Sequence, residues 1–140
     1  MRSGNFFVDD KLVLETSKFC DVSFPGGGIE EGESRLDALK RELNEELGYE
    51  IFDDSIKYFG RVDVFFKNAF QDGTEIQQIN YFYFCNGKKI CEPRLSENER
   101  KLKTEPVLTT VKEAIKINEK LIGKGYHWIE RDLFVLKCLK

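Results

Sequence analysis

The stretch from Pro25 to Tyr49 reads PGGGIEEGESRLDALKRELNEELGY, and the rest of the chain is organised around it. A glycine-rich loop comes first, and a segment with the features of an amphipathic helix follows. Ser34 stands where an N-cap is expected, leucines recur at helical spacing, and Gly48 supplies a C-terminal stop. These signals predict a helix over residues 35–47.

Three glutamates of this helix, Glu42, Glu45 and Glu46, fall within one arc of about 100° on a helical wheel. The leucines form a stripe beside that arc and fix the helix to a core. Like charges at these spacings destabilise a helix by ~0.2–0.5 kcal/mol per pair, so their crowding indicates a bound cation. For such a helix taken alone, a glutamate face that is merely solvated is the alternative interpretation.

The type of cation follows from the ligand atoms. Oxygen-only ligands favour Mg2+, Mn2+ or Ca2+ over zinc. Mg2+ commonly shares its coordination shell with substrate phosphates, and a metal that activates a water beside them is the usual means of cleaving a phosphoanhydride. Glycines before the helix allow the backbone to approach both groups.

Loop and helix together resemble the Nudix box, G-x5-E-x7-R-E-U-x-E-E-x-G-U, in which U is a bulky aliphatic residue. The fixed positions all match, and they are Gly27, Glu33, Arg41, Glu42, Glu45, Glu46 and Gly48. Leu43 takes the first aliphatic position. Tyr49 departs from the pattern at the last one, which affects packing and leaves the chemistry unchanged.

The resemblance implies roles for these residues. Glu45 and Glu46 would bind a divalent metal, Mg2+ or Mn2+, together with the carbonyl of Gly26. Glu42 would bind it too or help to deprotonate the attacking water, so the general base stays open. Gly27, Glu33, Arg41 and Gly48 would be structural, with a salt bridge between Glu33 and Arg41 joining the loop to the helix.

Some members of the family take the base or a further ligand from a later loop. Glu99 and Glu105 are the candidates here, and each is also interpretable as a surface charge. Phe6, Phe24, Phe65, Phe82 and Tyr83 are candidates for stacking on a nucleobase, with the core aromatic as the alternative.

The implied activity is a pyrophosphohydrolase that cleaves a nucleoside diphosphate linked to a moiety X. The ADP-ribose marker, a proline, is replaced by Val64 and Phe65, and Phe66 and Lys67 stand where dinucleoside-polyphosphate enzymes have a tyrosine. Elimination favours a nucleoside triphosphate of the house-cleaning, MutT-like type. The alternative is a catalytically silent domain that senses a nucleotide or binds a partner; silent members usually lose box glutamates, and this chain keeps them.

The flanking segments predict a single α+β domain over residues 1–140. Strands are expected at 5–8, 12–16, 56–67 and 75–85, with turns at Asp72-Gly73 and Asn86-Gly87 and a return strand over 88–91. A closing strand at 107–110 and helices at 111–122 and 130–140 follow. The resemblance implies an α/β/α sandwich with a mixed central sheet.

Composition limits the partners. The net charge is −3, which argues against a nucleic-acid polymer, and no apolar run is long enough to span a membrane. Residues 1–5 lack the apolar core of a signal peptide, and the four cysteines form no CxxC pair, so a cytoplasmic location is expected. A homodimer is common among such domains.

Overall fold

A computed structural model describes residues 7–8, 11–67 and 74–139. Its strands are β1 (Phe7–Val8), β2 (Lys11–Thr16), β3 (Val22–Ser23), β4 (Tyr49–Ile51), β5 (Lys57–Lys67), β6 (Glu75–Phe84), β7 (Gly87–Lys89) and β8 (Glu105–Thr109). Its helices are α1 (Arg35–Leu47), α2 (Glu97–Lys101), α3 (Val111–Glu119) and α4 (His127–Leu139), with a 3-10 turn at Asp53–Ser55. The predicted turn at Asp72-Gly73 and the candidate Phe6 lie outside the described residues.

The strands pair in three groups. In the first, β2 pairs with β1, β3 and β8; the other two are the pairs β4–β7 and β5–β6. Every pairing between described strands is antiparallel. The mixed character predicted for the sheet therefore does not appear in this part of the chain.

Two cores show that the strands lie between layers of helices. Val13 packs with Leu39 and Leu43 of α1, whereas its neighbours Leu12 and Leu14 pack with side chains of α3 and α4. Adjacent residues of a strand point to opposite faces, so β2 has one helical layer on each side. This arrangement confirms the predicted α+β class.

Helix α1 has the bounds that the sequence predicts. The Ser34 hydroxyl accepts a hydrogen bond from the Asp37 amide at 3.1 Å, and Gly48 ends the helix in a left-handed conformation with φ 74°. Both signals act within one turn of the chain. The predicted strands at 56–67 and 75–85 are likewise close to β5 and β6.

The hairpin predicted at Asn86-Gly87 is wrong. Gly87 begins β7, which pairs with β4, a strand that the sequence did not predict. A Cβ on Gly87 would lie 2.4 Å from the Glu50 carbonyl oxygen, so the glycine serves close strand approach and forms no turn.

Two helix boundaries also differ from the prediction. Helix α3 ends at Glu119, before the glycines expected to stop it, and α4 begins at His127 rather than residue 130.

Candidate functional site

Arg41 ties the glycine-rich loop to α1. Its Nε donates to Glu33 Oε2 at 2.8 Å, and its Nη2 donates to Glu33 Oε1 at 2.9 Å and to the Gly28 carbonyl at 3.0 Å. The hydrogen bonds from Arg41, and next the one from the Glu30 amide, lower the pKa of Glu33 to about 2. The bidentate geometry is the strong form of an arginine–carboxylate pair, and it fixes where the loop lies on the helix.

The third arginine nitrogen reaches the acidic face of α1. Arg41 Nη1 donates to Glu42 Oε1 at 2.9 Å and to Glu45 Oε2 at 3.4 Å. Burial raises the pKa of Glu42, and the hydrogen bond from Arg41 opposes that shift. Gly27 lies against the same carboxyl group, because a Cβ there would be 2.4 Å from both Cδ and Oε1 of Glu42.

Glu46 points in a different direction and is 5% exposed. Its Oε2 accepts a hydrogen bond from the amide of Gly26 at 3.0 Å. Burial, and next the charge of Glu15, raise the pKa of Glu46, and hydrogen-bonding contacts with Glu99 and Glu15 act in the same direction. The site thus holds carboxyl groups from three separate elements, β2, α1 and α2.

These three carboxyl groups line a cavity of about 140 Å³. Phe19 and Trp128 form part of its wall, and Asp21 lies beside them. The Trp128 Nε1 donates to Asp21 Oδ2 at 2.8 Å, which holds the start of α4 against the loop that precedes β3. An acidic end and an aromatic side therefore share one small cavity.

A side chain of α3 fixes β3, the strand that leads into the glycine-rich loop. The Val22 amide donates to Asn118 Oδ1 at 2.9 Å, and Asn118 Nδ2 donates back to the Val22 carbonyl at 2.7 Å. Because Asn118 is fully buried, its amide group fixes β3 just ahead of Pro25.

The other predicted site residues fall in distinct places. Glu99 lies beside Glu46, and its Oε1 also accepts from the Ser96 amide at 2.8 Å in a capping box. Glu105 begins β8 opposite Thr16 and is exposed, with no side-chain hydrogen bond or ion pair to any described residue. For Gly26 the structure records the amide contact, and a ligand role for its carbonyl stays a prediction.

The donor atoms fit a hard divalent cation, since all of them are oxygens. Within the described residues, however, no three histidine, cysteine, aspartate or glutamate side chains are arranged to hold a metal ion. Glu42 and Glu45 face Arg41, whereas Glu46 faces Gly26 and Glu15. Convergence of the three box carboxylates on one ion requires Glu42 and Glu45 to turn away from Arg41.

Sequence reasoning missed Glu15. A signal was present in the sequence, because this glutamate follows the apolar run Leu12-Val13-Leu14. In the structure its side chain is 5% exposed. Charged residues are almost never fully buried without a specific reason.

Two larger hollows lie elsewhere. One of about 650 Å³ lies between β5 and the start of α4, and one of about 970 Å³ lies between α1 and β4. Neither is lined by Glu42 or Glu46. Of the candidate stacking aromatics, Phe24, Phe82 and Tyr83 are buried in the core, and Phe65 is 60% exposed on β5.

The layered α+β fold and its loop–helix unit agree with the domain type that the sequence motif resembles, and the comparison with protein families identifies the family. The NUDIX domain model matches residues 5–129, so the chain belongs to the NUDIX domain family. Members of this family generally use a divalent metal ion. No helix of the described residues has both the length and the apolar content needed to cross a membrane.

Known proteins show the same relationship. An RNA pyrophosphohydrolase of Bartonella bacilliformis is 43% identical over 51 residues, which are 34% of this chain and 30% of that protein. A NUDIX hydrolase from Nitrosomonas europaea has a TM-score of 0.64 at 16% identity, covering 96% of this chain and 87% of the other. A Bacillus subtilis pyrophosphohydrolase has a TM-score of 0.55 at 24% identity, covering 76% and 60%. The two structures support the fold.

Proposed function

We propose that the protein is a Mg2+- or Mn2+-dependent pyrophosphohydrolase that cleaves a nucleoside diphosphate linked to a moiety X. The observation that carries this proposal is the buried Glu46, held by the Gly26 amide and surrounded by carboxyl groups of two other elements. Burying several carboxylates together is costly unless a cation or protons offset their charge. The membership in the NUDIX family supports the cation.

Glu42, Glu45 and Glu46 would hold the ion, with the Gly26 carbonyl and Glu99 as further candidates. Such an ion, when bound, neutralises phosphate charge and lowers the pKa of a coordinated water. The protein itself supplies the rigid frame: the Glu33–Arg41 pair fixes the loop, and Gly27 leaves room for the Glu42 carboxyl group. Either Glu42 or Glu99 would accept the proton of the attacking water.

A nucleoside triphosphate is the favoured substrate, as the sequence markers indicate by elimination. Phe19 and Trp128 beside Glu46 offer aromatic surface on which a nucleobase would stack. A second candidate is the 5′-triphosphate end of an RNA, which the similarity to an RNA pyrophosphohydrolase favours. All four cysteines are free thiols, in keeping with the cytoplasmic location that we propose.

The test is a substrate panel assayed with Mg2+ and with Mn2+. It should include nucleoside triphosphates, ADP-ribose, dinucleoside polyphosphates and a 5′-triphosphorylated oligonucleotide. We expect metal-dependent cleavage of a phosphoanhydride bond in at least one member, with release of a phosphomonoester (for ADP-ribose, AMP and ribose 5-phosphate), and no cleavage when the metal is chelated. No turnover of any member, together with measurable nucleotide binding, would instead support a silent binding module.

A further inference from the structure

A hollow of about 650 Å³ between β5 and the start of α4 has aromatic walls. The aromatic side chains that line it are Phe65, Phe66, Tyr126, His127 and Phe134, and we call it the aromatic hollow. Much of two of these rings is uncovered, because Phe65 is 60% exposed and Phe134 is 62% exposed. The volume falls within the range of about 300–1,000 Å³ that is usual for sites that bind small molecules.

One wall of the aromatic hollow is fixed by contacts between rings. The His127 ring stacks on the Phe66 ring, with 4.0 Å between their centres and 13° between their planes. The His127 ring also meets the Trp128 ring edge-on at 5.3 Å, and the Trp128 indole donates to Asp21. The stacked pair is therefore in place before any ligand binds.

Two charged side chains in the lining are neutralised within the protein. Arg131 is 3% exposed, and its Nε and Nη2 donate to the two carboxylate oxygens of Asp132 at 2.8 and 3.2 Å. Asp63 accepts from Nε and Nη2 of Arg61 at 2.7 and 2.9 Å. Neither Arg131 nor Asp63 therefore gives the hollow a net charge.

The charge of a third side chain in the lining, Glu130, is not offset. Glu130 is exposed and forms no ion pair with any residue that the structure describes. Lys124, in the loop between α3 and α4, is exposed and does not line the hollow. The hollow thus combines uncovered aromatic rings with an unpaired carboxylate.

This combination suits an organic cation. The face of an aromatic ring carries partial negative charge and attracts an ammonium group, and a carboxylate beside the rings adds to that attraction. An anion would be repelled by Glu130, and the guanidinium of Arg131 is already paired with Asp132. A purely apolar ligand would cover the Glu130 carboxylate without giving it a partner, which is costly.

We propose that the aromatic hollow binds an organic cation that carries a quaternary or methylated ammonium group. The ammonium group lies on the rings of Phe65 and Phe134 and beside the carboxylate of Glu130. The lining contains no glutamate of the box, so this site is separate from the metal site that we propose. The inference therefore goes beyond the proposed function and does not rest on it.

The test uses three ligands of nearly the same shape that differ in charge. They are choline, its neutral isostere 3,3-dimethylbutan-1-ol, and the anion 3,3-dimethylbutanoate. Binding is followed by the fluorescence of Trp128, the single tryptophan of the chain, whose ring contacts His127. Isothermal titration calorimetry repeats each measurement, with the ionic strength held constant by sodium chloride.

Two substitutions separate the two sources of attraction. Glu130→Gln removes the charge and keeps the shape, whereas Phe134→Leu removes the ring and keeps an apolar side chain. Glu97→Gln and Phe52→Leu are the matched controls, since both positions are exposed and lie outside the hollow. Glu46→Gln tests whether choline binds at the box instead. Thermal unfolding of each variant checks that the fold is intact.

We expect choline to bind roughly tenfold more tightly than the neutral alcohol, and the anion to bind most weakly. Glu130→Gln and Phe134→Leu should each weaken choline binding roughly 3–10-fold, because each removes one source of attraction for the ammonium group. Both control variants and Glu46→Gln should bind choline within about twofold of wild type.

The proposal is overturned if wild type does not bind choline, or if the alcohol or the anion binds as tightly as choline does. It is also overturned if either Glu130→Gln or Phe134→Leu leaves choline binding at the wild-type level. Loss of choline binding in Glu46→Gln would place the cation at the box carboxylates and would have the same meaning. The hydrolase proposal is decided separately by the substrate panel, because none of these binding measurements involves turnover.

Discussion

Glu33 and Glu46 belong to one loop–helix unit, and their surroundings shift their pKa values in opposite directions. Hydrogen bonds from Arg41 lower the pKa of Glu33 to about 2. Burial raises the pKa of Glu46, and the nearby carboxyl groups of Glu15 and Glu99 add to that shift. Arg41 therefore keeps Glu33 charged without a bound ion, whereas the charge of Glu46 needs a cation or a proton to offset it.

The difference agrees with the roles that we propose within the motif, structural for Glu33 and catalytic for Glu46. Both carboxylate oxygens of Glu33 accept from Arg41, and Oε1 also accepts from the Glu30 amide at 3.1 Å, so Glu33 needs no bound ion. Among the described residues, the Gly26 amide is the backbone group that donates to Glu46, which otherwise lies among carboxyl groups of like charge. Charge crowding of this kind is typical of functional sites, where the ligand supplies what the protein omits.

The largest effect on activity is expected when the charge of Glu46 is removed. We expect Glu46→Gln to lower kcat by more than about 100-fold, because the residue proposed as a metal ligand would lose its charge. The amide oxygen can still accept from Gly26, so the melting temperature should not fall. Steady-state kinetics in Mg2+ and thermal unfolding measure the two effects, and Glu31→Gln in the exposed loop is the matched control. A variant with near-normal kcat would remove Glu46 from the metal site.

Gly27 affects the motif through its contact with Glu42, and a substitution there tests that effect. A Cβ at Gly27 would overlap the Glu42 carboxyl group, which is the flexible end of a side chain and can move aside. We therefore expect Gly27→Ala to cost little stability but to lower kcat roughly 10–100-fold, because Glu42 is displaced. Gly28→Ala is the control, since a Cβ there meets nothing within 4 Å. Equal effects of the two substitutions on kcat would contradict this account of Gly27.

The contrast between Glu33 and Glu46 was in part predictable from the sequence. The bounds of α1 follow from Ser34, the leucine spacing and Gly48, which all act locally. The pairing of Glu33 with Arg41 was implied by the resemblance to the box, and the structure contains it. Signals that operate within a few residues survive any tertiary arrangement, and for that reason they were reliable.

Other features depend on contacts between distant parts of the chain. Asn86-Gly87 has the composition of a hairpin turn, but its use is decided by the Glu50 backbone, which lies far away in sequence. The proximity of Glu15 to Glu46 likewise arises from the packing of β2 against α1. Glu99 and Glu105 were equivalent candidates in the sequence, and only the fold brings one of them beside Glu46.

Glu99 and Glu105 therefore form a natural pair for a smaller test. We expect Glu99→Gln to lower kcat about tenfold, because a carboxylate beside Glu46 is lost. The glutamine oxygen can still accept from the Ser96 amide, which preserves the cap of α2. Glu105→Gln should leave kcat unchanged, since that side chain is exposed and makes no described contact. If both variants lost comparable kcat, proximity to Glu46 would not be what makes a carboxylate important for the reaction.

The smallest expected effect concerns Glu33, and it appears in the pH dependence of the stability of the fold. Because the folded-state pKa of Glu33 is lowered from 4.5 to about 2, its contribution to stability is present above pH 4.5 and is lost as the pH falls through 2. The melting temperature of Glu33→Gln should lie below that of wild type at neutral pH, and the gap should close between pH 4.5 and 2. Glu46 and its neighbours are common to both proteins, so their titration cancels in the difference. Calorimetry of the two proteins across this range measures the gap, and one that stays constant down to pH 2 would show that Arg41 does not stabilise the charged form of Glu33.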